Sequence, residues 1–193
     1  MYCGTPMDDP QDFDRLLAEG LAASRENRRD AALALFARAA AAAPASGIPH
    51  FLIGSEHASA GDFAAAELAF ASAVLLSPDL PLARYQLGLL QFSTQRAALA
   101  LLTWQPLFAL PEDDELLHFV RGFAALAQDA FEPALAHFRQ GLGVQPANPA
   151  LCADILQVVE AVERLRLRLR QEPSAEAGDV GHILLSAYAR GLH

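Results

Sequence analysis

Residues able to do chemistry are few in this sequence, and their spacing does not assemble them. The six histidines are His50, His57, His118, His137, His182 and His193. A metal site carried on one helix needs two histidines four apart, and a knuckle needs two cysteines three apart. Neither pattern occurs, so no metal ligand set is expected. Ser55 follows Gly54, but the second glycine of a nucleophile elbow is missing. All 14 basic residues are arginines. Without lysine the chain can form neither a phosphate-gripping P-loop nor a Schiff base. The acidic run Glu112-Asp113-Asp114-Glu115 is expected to cap a helix, because carboxylates are stabilised at helix N-termini. No nucleophile, base and orienter come together. The expectation is a protein that is not an enzyme and uses no cofactor.

The elements that must position these residues are helical. Of the 193 residues, 53% are hydrophobic and 19% charged, too apolar a mixture for a disordered chain. Alanine, leucine, glutamate and arginine dominate, and these lose little side-chain freedom in a helix. The length suits one domain with a sizeable core. A net charge of −9 argues against nucleic acid and anionic membrane surfaces as partners. The two cysteines, Cys3 and Cys152, are too few for a disulfide framework and fit reduced thiols in a cytoplasm. The first residues show neither a basic start nor an apolar run, so no secretory signal is expected. No stretch approaches the ~20 apolar residues of a membrane helix.

One period organises the chain. Gly20, Gly54, Gly88 and Gly122 are each 34 residues apart. Twelve residues after each stands an alanine, at Ala32, Ala66, Ala100 and Ala134, and four further on an aromatic, at Phe36, Phe70, Trp104 and Phe138. Prolines follow at Pro44, Pro78 and Pro146, with Pro111 one residue early in the third repeat. A glycine lets two helices approach, a small residue faces it, an aromatic fills the space towards the next repeat, and the proline ends the second helix. Turns are expected near Asn27, Gly61-Asp62, Gln95-Arg96 and Asp129.

These residues resemble the tetratricopeptide-repeat (TPR) family, whose unit is a 34-residue helix–turn–helix. The resemblance covers 13–46, 47–80, 81–114 and 115–148, about 70% of the chain. It departs from the family at Leu16, His50, Arg84 and His118, where a large aromatic usually opens the first helix. It departs again at Ala23, His57, Gln91 and Ala125, where a second aromatic is usual. His50 and His118 share one repeat position, which suggests packing rather than catalysis. The resemblance implies an all-α solenoid of four helical hairpins.

The third repeat is irregular, because Pro106 falls inside its second helix and should bend or shorten it near Leu102. After the repeats, Asn148-Pro149 opens a helix over 149–171, with asparagine as cap and proline first. Its apolar seam is Leu151, Ile155, Val158, Val162, Leu165 and Leu169, suited to capping the last repeat. Arg164, Arg166, Arg168 and Arg170 crowd its end, where cations meet the helix dipole favourably. Residues 1–12 are read as a mobile N-terminus and 172–180 as a linker. Ile183, Leu184, Leu185 and Tyr188 form an apolar segment expected to dock, on its own groove or on another copy.

The family's groove is lined by set positions of each first helix. The resemblance carries these onto Leu17, Leu21 and Ser24; onto Ile48, Phe51, Ser55 and Ala58; onto Leu82, Tyr85, Leu89 and Phe92; and onto Leu116, Phe119, Phe123 and Leu126. That lining is apolar and lacks the cations of a carboxylate clamp. It fits an apolar peptide or amphipathic helix, unless the residues are core covered by the chain's own termini. Size and charge also bring a likeness to the TPR chaperones of bacterial type III secretion. The function expected is a cytoplasmic adaptor or chaperone. The alternatives are an assembly subunit dimerising through its C-terminal helix and a regulatory subunit of an enzyme.

Overall fold

The computed structural model describes residues 10–144 and 148–171. Every regular element among them is helical: α1 (Pro10–Arg25), α2 (Arg29–Ala42), α3 (Ile48–Ser59), α4 (Phe63–Leu76), α5 (Pro81–Ser93), α6 (Ala97–Trp104), a 3-10 helix (Gln105–Ala109), α7 (Glu115–Leu126), α8 (Phe131–Gly143) and α9 (Pro149–Gln171). The chain divides into two compact units, 1–83 and 84–193, with the boundary inside α5.

The hairpin corners come from one backbone device used four times. Asn27, Gly61, Gln95 and Asp129 all have positive φ, at 56°, 76°, 64° and 54°. At each, the amide bonds the carbonyl three residues back: Asn27 to Ser24, Gly61 to Ala58, Gln95 to Phe92, Asp129 to Leu126. The next amide reaches five back: Arg28 to Ala23, Asp62 to His57, Arg96 to Gln91, Ala130 to Ala125. This is the Schellman ending, which satisfies carbonyls that a helix terminus would orphan. Asparagine and aspartate tolerate the left-handed region, and glycine adopts it freely. Gln95 has neither advantage.

Within each hairpin the aromatic lies on the glycine of its own repeat. A Cβ built on Gly20 would stand 2.4 Å from the Phe36 ring, on Gly54 2.6 Å from Phe70, on Gly88 2.2 Å from Trp104 and on Gly122 2.5 Å from Phe138. The sequence reading gave the aromatics to the space between repeats. Their first contact is inside the hairpin, where the missing side chain leaves a flat floor for a ring. Trp104 does both, since its ring also stacks on Phe123 of the next repeat at 5.4 Å. Ala32, Ala66, Ala100 and Ala134 are fully buried.

Pro106 acts as its chemistry requires. α6 stops at Trp104 and the chain tightens into the 3-10 turn, where the proline's missing N–H costs no helical bond. Of the acidic run, Asp114 caps α7 by accepting from the Leu116 amide at 2.8 Å. Asn148 does the same for α9, accepting from the amides of Ala150 at 3.1 Å and Leu151 at 3.3 Å. On α9, Leu151, Ile155, Val158, Val162 and Leu165 are buried, and the helix packs along α8. The seam is therefore buried within the chain. Arg166 pairs with Glu132 of α8 and Arg164 with Glu160. Among the described residues no helix is long and apolar enough to cross a membrane. The expected docking segment at 181–193 lies outside the described residues.

Candidate functional site

In the first unit the groove positions are carried by α1 and α3. Gly20 and Gly54 hold these helices tightly to α2 and α4, so their remaining faces carry the variable side chains. Leu21 and Ile48 are exposed, at 36% and 42%, beside half-buried Leu17, Phe51 and Ser55. Phe51 is held from beneath by Phe70, ring centroids 5.9 Å apart. Ser55 donates to the Phe51 carbonyl at 3.1 Å, so its hydroxyl is spent within the helix.

Polar contacts fix the spacing of α1 and α3. Ser24 of α1 hydrogen-bonds to the carboxylate of Glu56 on α3. Arg29 donates from Nε to the Glu56 carbonyl at 3.3 Å and meets Nδ1 of His57 at 3.1 Å. His57 in turn lies 3.2 Å from Asp62. These contacts tie α1 and the start of α2 to the end of α3.

The second unit differs at the same register. Tyr85, Phe119 and Phe123 are wholly buried, and Leu89 and Phe92 nearly so. Their rings form a continuous cluster with Trp104 and Phe138. Tyr85 stacks on Trp104 at 6.2 Å and tilts against Phe119 at 6.4 Å, Phe92 meets Phe123 at 5.4 Å, and Phe123 meets Phe138 edge-on at 5.0 Å. The expectation of an open lining here is corrected, because aromatics of this size reach one another across neighbouring helices. Ala58 and Leu126 are buried as well.

The remaining reactive types are engaged in structure. His118 is fully buried, and its Nε2 lies 2.7 Å from the Glu112 carbonyl. That carbonyl can only accept, so Nε2 carries the proton and Nδ1 is left unpartnered. Burial lowers the pKa of His137, with Arg121 and His118 adding to the effect and Glu112 opposing it. Burial raises the Cys152 thiol, and Glu115, whose carboxylate accepts from its Sγ at 3.8 Å, raises it further. Asp154 on α9 is half-buried with an unpartnered Oδ1, and burial moves its pKa up to about 6. No three metal-ligating residues cluster among the described residues. Spacing could not have found Asp154, because its environment comes from neighbours distant in sequence.

Four glycine-floored hairpins, Schellman corners in one phase and a capping-type ninth helix define the class: an all-α helical-repeat solenoid. Comparison with solved structures gives the same fold. The chain is similar to MamA from Desulfovibrio magneticus RS-1, residues 41 to the end, with TM-score 0.60 and 15% identity over 91% of this chain and 93% of that one. It is similar also to the MamA RS-1 ArsTM double mutant, with TM-score 0.59 and 16% identity over 91% of this chain and 94% of that one. The fold is TPR-like. These matches lend no support to the likeness with type III secretion chaperones. No family model and no curated protein matches the chain.

Proposed function

We propose that the protein is a non-enzymatic interaction module that seats an apolar peptide or the apolar face of an amphipathic helix on α1 and α3. The observation that carries this reading is the exposure of Leu21 and Ile48 beside half-buried Leu17 and Phe51. An apolar strip is the recognition surface for side chains spaced three or four residues apart on a helix. The adaptor or chaperone role follows from that surface, which holds a partner's apolar segment without altering it. The reactive groups support a non-catalytic reading, since Nε2 of His118 and the Ser55 hydroxyl are each engaged by a backbone carbonyl. The free thiol of Cys152 accords with a reduced cytoplasmic setting.

Selection of a displayed peptide library against the full chain tests this. Enrichment is expected for sequences with apolar residues at helical spacing, and Leu21→Asp or Ile48→Asp should weaken the winners at least tenfold. No enrichment, or binding indifferent to both substitutions, rejects the α1/α3 strip as the site.

A further inference from the structure

We propose that the outer face of α4 is a self-complementary contact through which two copies of this chain pair antiparallel. α4 is apolar on both sides. Ala66, Ala69, Phe70 and Ala73 are its buried stripe. Ala64, Leu68, Ala71 and Leu75 form a second stripe on the opposite side, and all four are exposed. Leu68 and Leu75 are 73% and 79% exposed, more than any other large hydrophobic among the described residues. A helix apolar all round is normally enclosed by its own protein, and this one is not.

The 34-residue register shows what water asks of this face. In α8 the corresponding residues are Glu132, Ala136, Arg139 and Gly143, and in α2 they are Asp30, Ala34, Ala37 and Ala41. Each of those stripes carries charge and no large apolar residue. In the third repeat Leu102 is followed by the polar Gln105. The stripe of α4 has two leucines and no polar residue, and Glu67 is the only ionisable residue in the helix.

The spacing selects the occupant. Ala64, Leu68, Ala71 and Leu75 recur at intervals of four, three and four, the seam of a two-stranded coiled coil. The order of small and large residues is also matched about the helix centre, between Ala69 and Phe70. When a second α4 runs antiparallel across the first, Leu68 meets the partner's Ala71, and Leu75 meets the partner's Ala64. Two-fold symmetry repeats both contacts. Every layer then joins one large residue to one small one, so the helices keep a single separation and no layer is left hollow. A parallel pair would set leucine on leucine and alanine on alanine, which alternates wide layers with narrow ones. Charge agrees with the antiparallel choice. The seam is uncharged, so two acidic chains can meet there, and Glu67 on its flank falls beside the partner's Val74 rather than the partner's Glu67. The seam is ~17 Å long and buries on the order of 500 Å², below the ~1,200 Å² of a stable interface. The pair is therefore reversible and forms as concentration rises.

Sedimentation of the full chain from ~5 μM to ~1 mM tests this, a range that spans weak association. The average mass is expected to rise from 20.6 kDa towards twice that value. Leu68→Glu/Leu75→Glu should hold the chain monomeric with its helical circular dichroism unchanged. A parent that stays monomeric throughout overturns the proposal and leaves the face to a different protein. A dimer indifferent to the double variant places the contact elsewhere and also overturns it. Ala71→Leu separates specific packing from mere stickiness. It makes the face more apolar but sets leucine against the partner's Leu68, so pairing should weaken at least tenfold; unchanged or tighter pairing rejects the leucine-on-alanine seam. Orientation is read by oxidative cross-linking with Cys3 and Cys152 replaced by serine. Chains carrying Ala64→Cys and Leu75→Cys are mixed, and disulfides are expected between unlike chains only, because like positions lie ~17 Å apart in the antiparallel pair. Disulfides between like chains overturn the antiparallel arrangement. The contact shares no residue with the α1/α3 strip, so its failure leaves the peptide-selection result untouched.

Discussion

The indole Nε1 of Trp104 donates to the main-chain carbonyl of Tyr85 at 3.0 Å, across the floor that Gly88 leaves open. A hypothetical Cβ on Gly88 would lie 2.2 Å from that same nitrogen. Both residues are fully buried, so neither can step aside. Gly88→Ala should therefore destabilise the protein by about 1–3 kcal/mol through overpacking, although alanine is the better helix former. Gly54→Leu should cost at least as much, because its side chain must displace Phe70. The urea midpoint checks both, and midpoints unchanged within error would refute the glycine-floor account.

The corner residues give a prediction of opposite sign. Gln95 adopts φ 64° with an ordinary side chain, while Gly61 at φ 76° has nothing within 4 Å of where a Cβ would stand. Only the backbone is at issue at Gly61. Gln95→Gly should gain about 0.5–1 kcal/mol by relieving the left-handed cost, net of glycine's larger entropy loss. Gly61→Ala should lose about 1 kcal/mol for the reverse reason. Thermal unfolding of both variants is the measurement, and a loss at Gln95→Gly contradicts the account.

Asp154 predicts a pH dependence. Burial raises its pKa from 3.8 to about 6, so the folded chain holds this proton more tightly than the unfolded one. The associated stability is present below about pH 4 and is lost as the pH rises through 6. Asp154→Asn should therefore stabilise the protein at pH 8 by about 1–2 kcal/mol, a figure discounted for partial exposure. The gain should vanish near pH 4. His137 acts in the other direction: its lowered pKa gives stability that is present above 6.5 and is lost as the pH falls. Variant-minus-parent urea midpoints between pH 4 and 8 isolate the aspartate, and a gain independent of pH speaks against it.

Cys152 should be a slow thiol. Burial raises its pKa first, and the Glu115 carboxylate raises it further. Since the thiolate is the reactive form, alkylation by iodoacetamide at pH 8 is expected to run at least tenfold slower than that of glutathione. Glu115→Gln should speed it. Mass spectrometry of the Cys152 peptide provides the rates, and a rate equal to glutathione's contradicts the assignment.

The architecture was legible wherever a residue acts through its own backbone or through one fixed partner. The 34-residue glycine spacing, the proline at 106 and the caps at Asp114 and Asn148 all work locally, so spacing alone revealed them. The corner at Gln95 was located but not its conformation, because glutamine carries no preference for the left-handed region. The faces were less legible. Periodicity tells which side of α7 holds Leu116 and Phe119, but it is silent on whether another part of the chain lies over that side. Accessibility depends on the assembled neighbours, which is why Tyr85 and Phe51 share a register and differ in burial. The aromatic's seat on the glycine was misjudged for a related reason, since a ring large enough to touch both hairpins gives no sign of which it touches first.

The four corners have a further consequence for how such a chain can change. Each is closed by two main-chain hydrogen bonds over a fixed count of residues, so an insertion there would unlatch the end of the first helix. The joints between hairpins are closed by one main-chain bond each, from Ser46 to Ala43, Leu80 to Ser77 and Asp114 to Pro111. The third absorbs a proline, a 3-10 turn and a one-residue shift of Pro111 before α7 resumes the phase. Length is thus conserved at the elbows and negotiable at the joints. A lineage could gain or shed whole 34-residue modules, or elongate a joint, and each surviving hairpin would still find its own register.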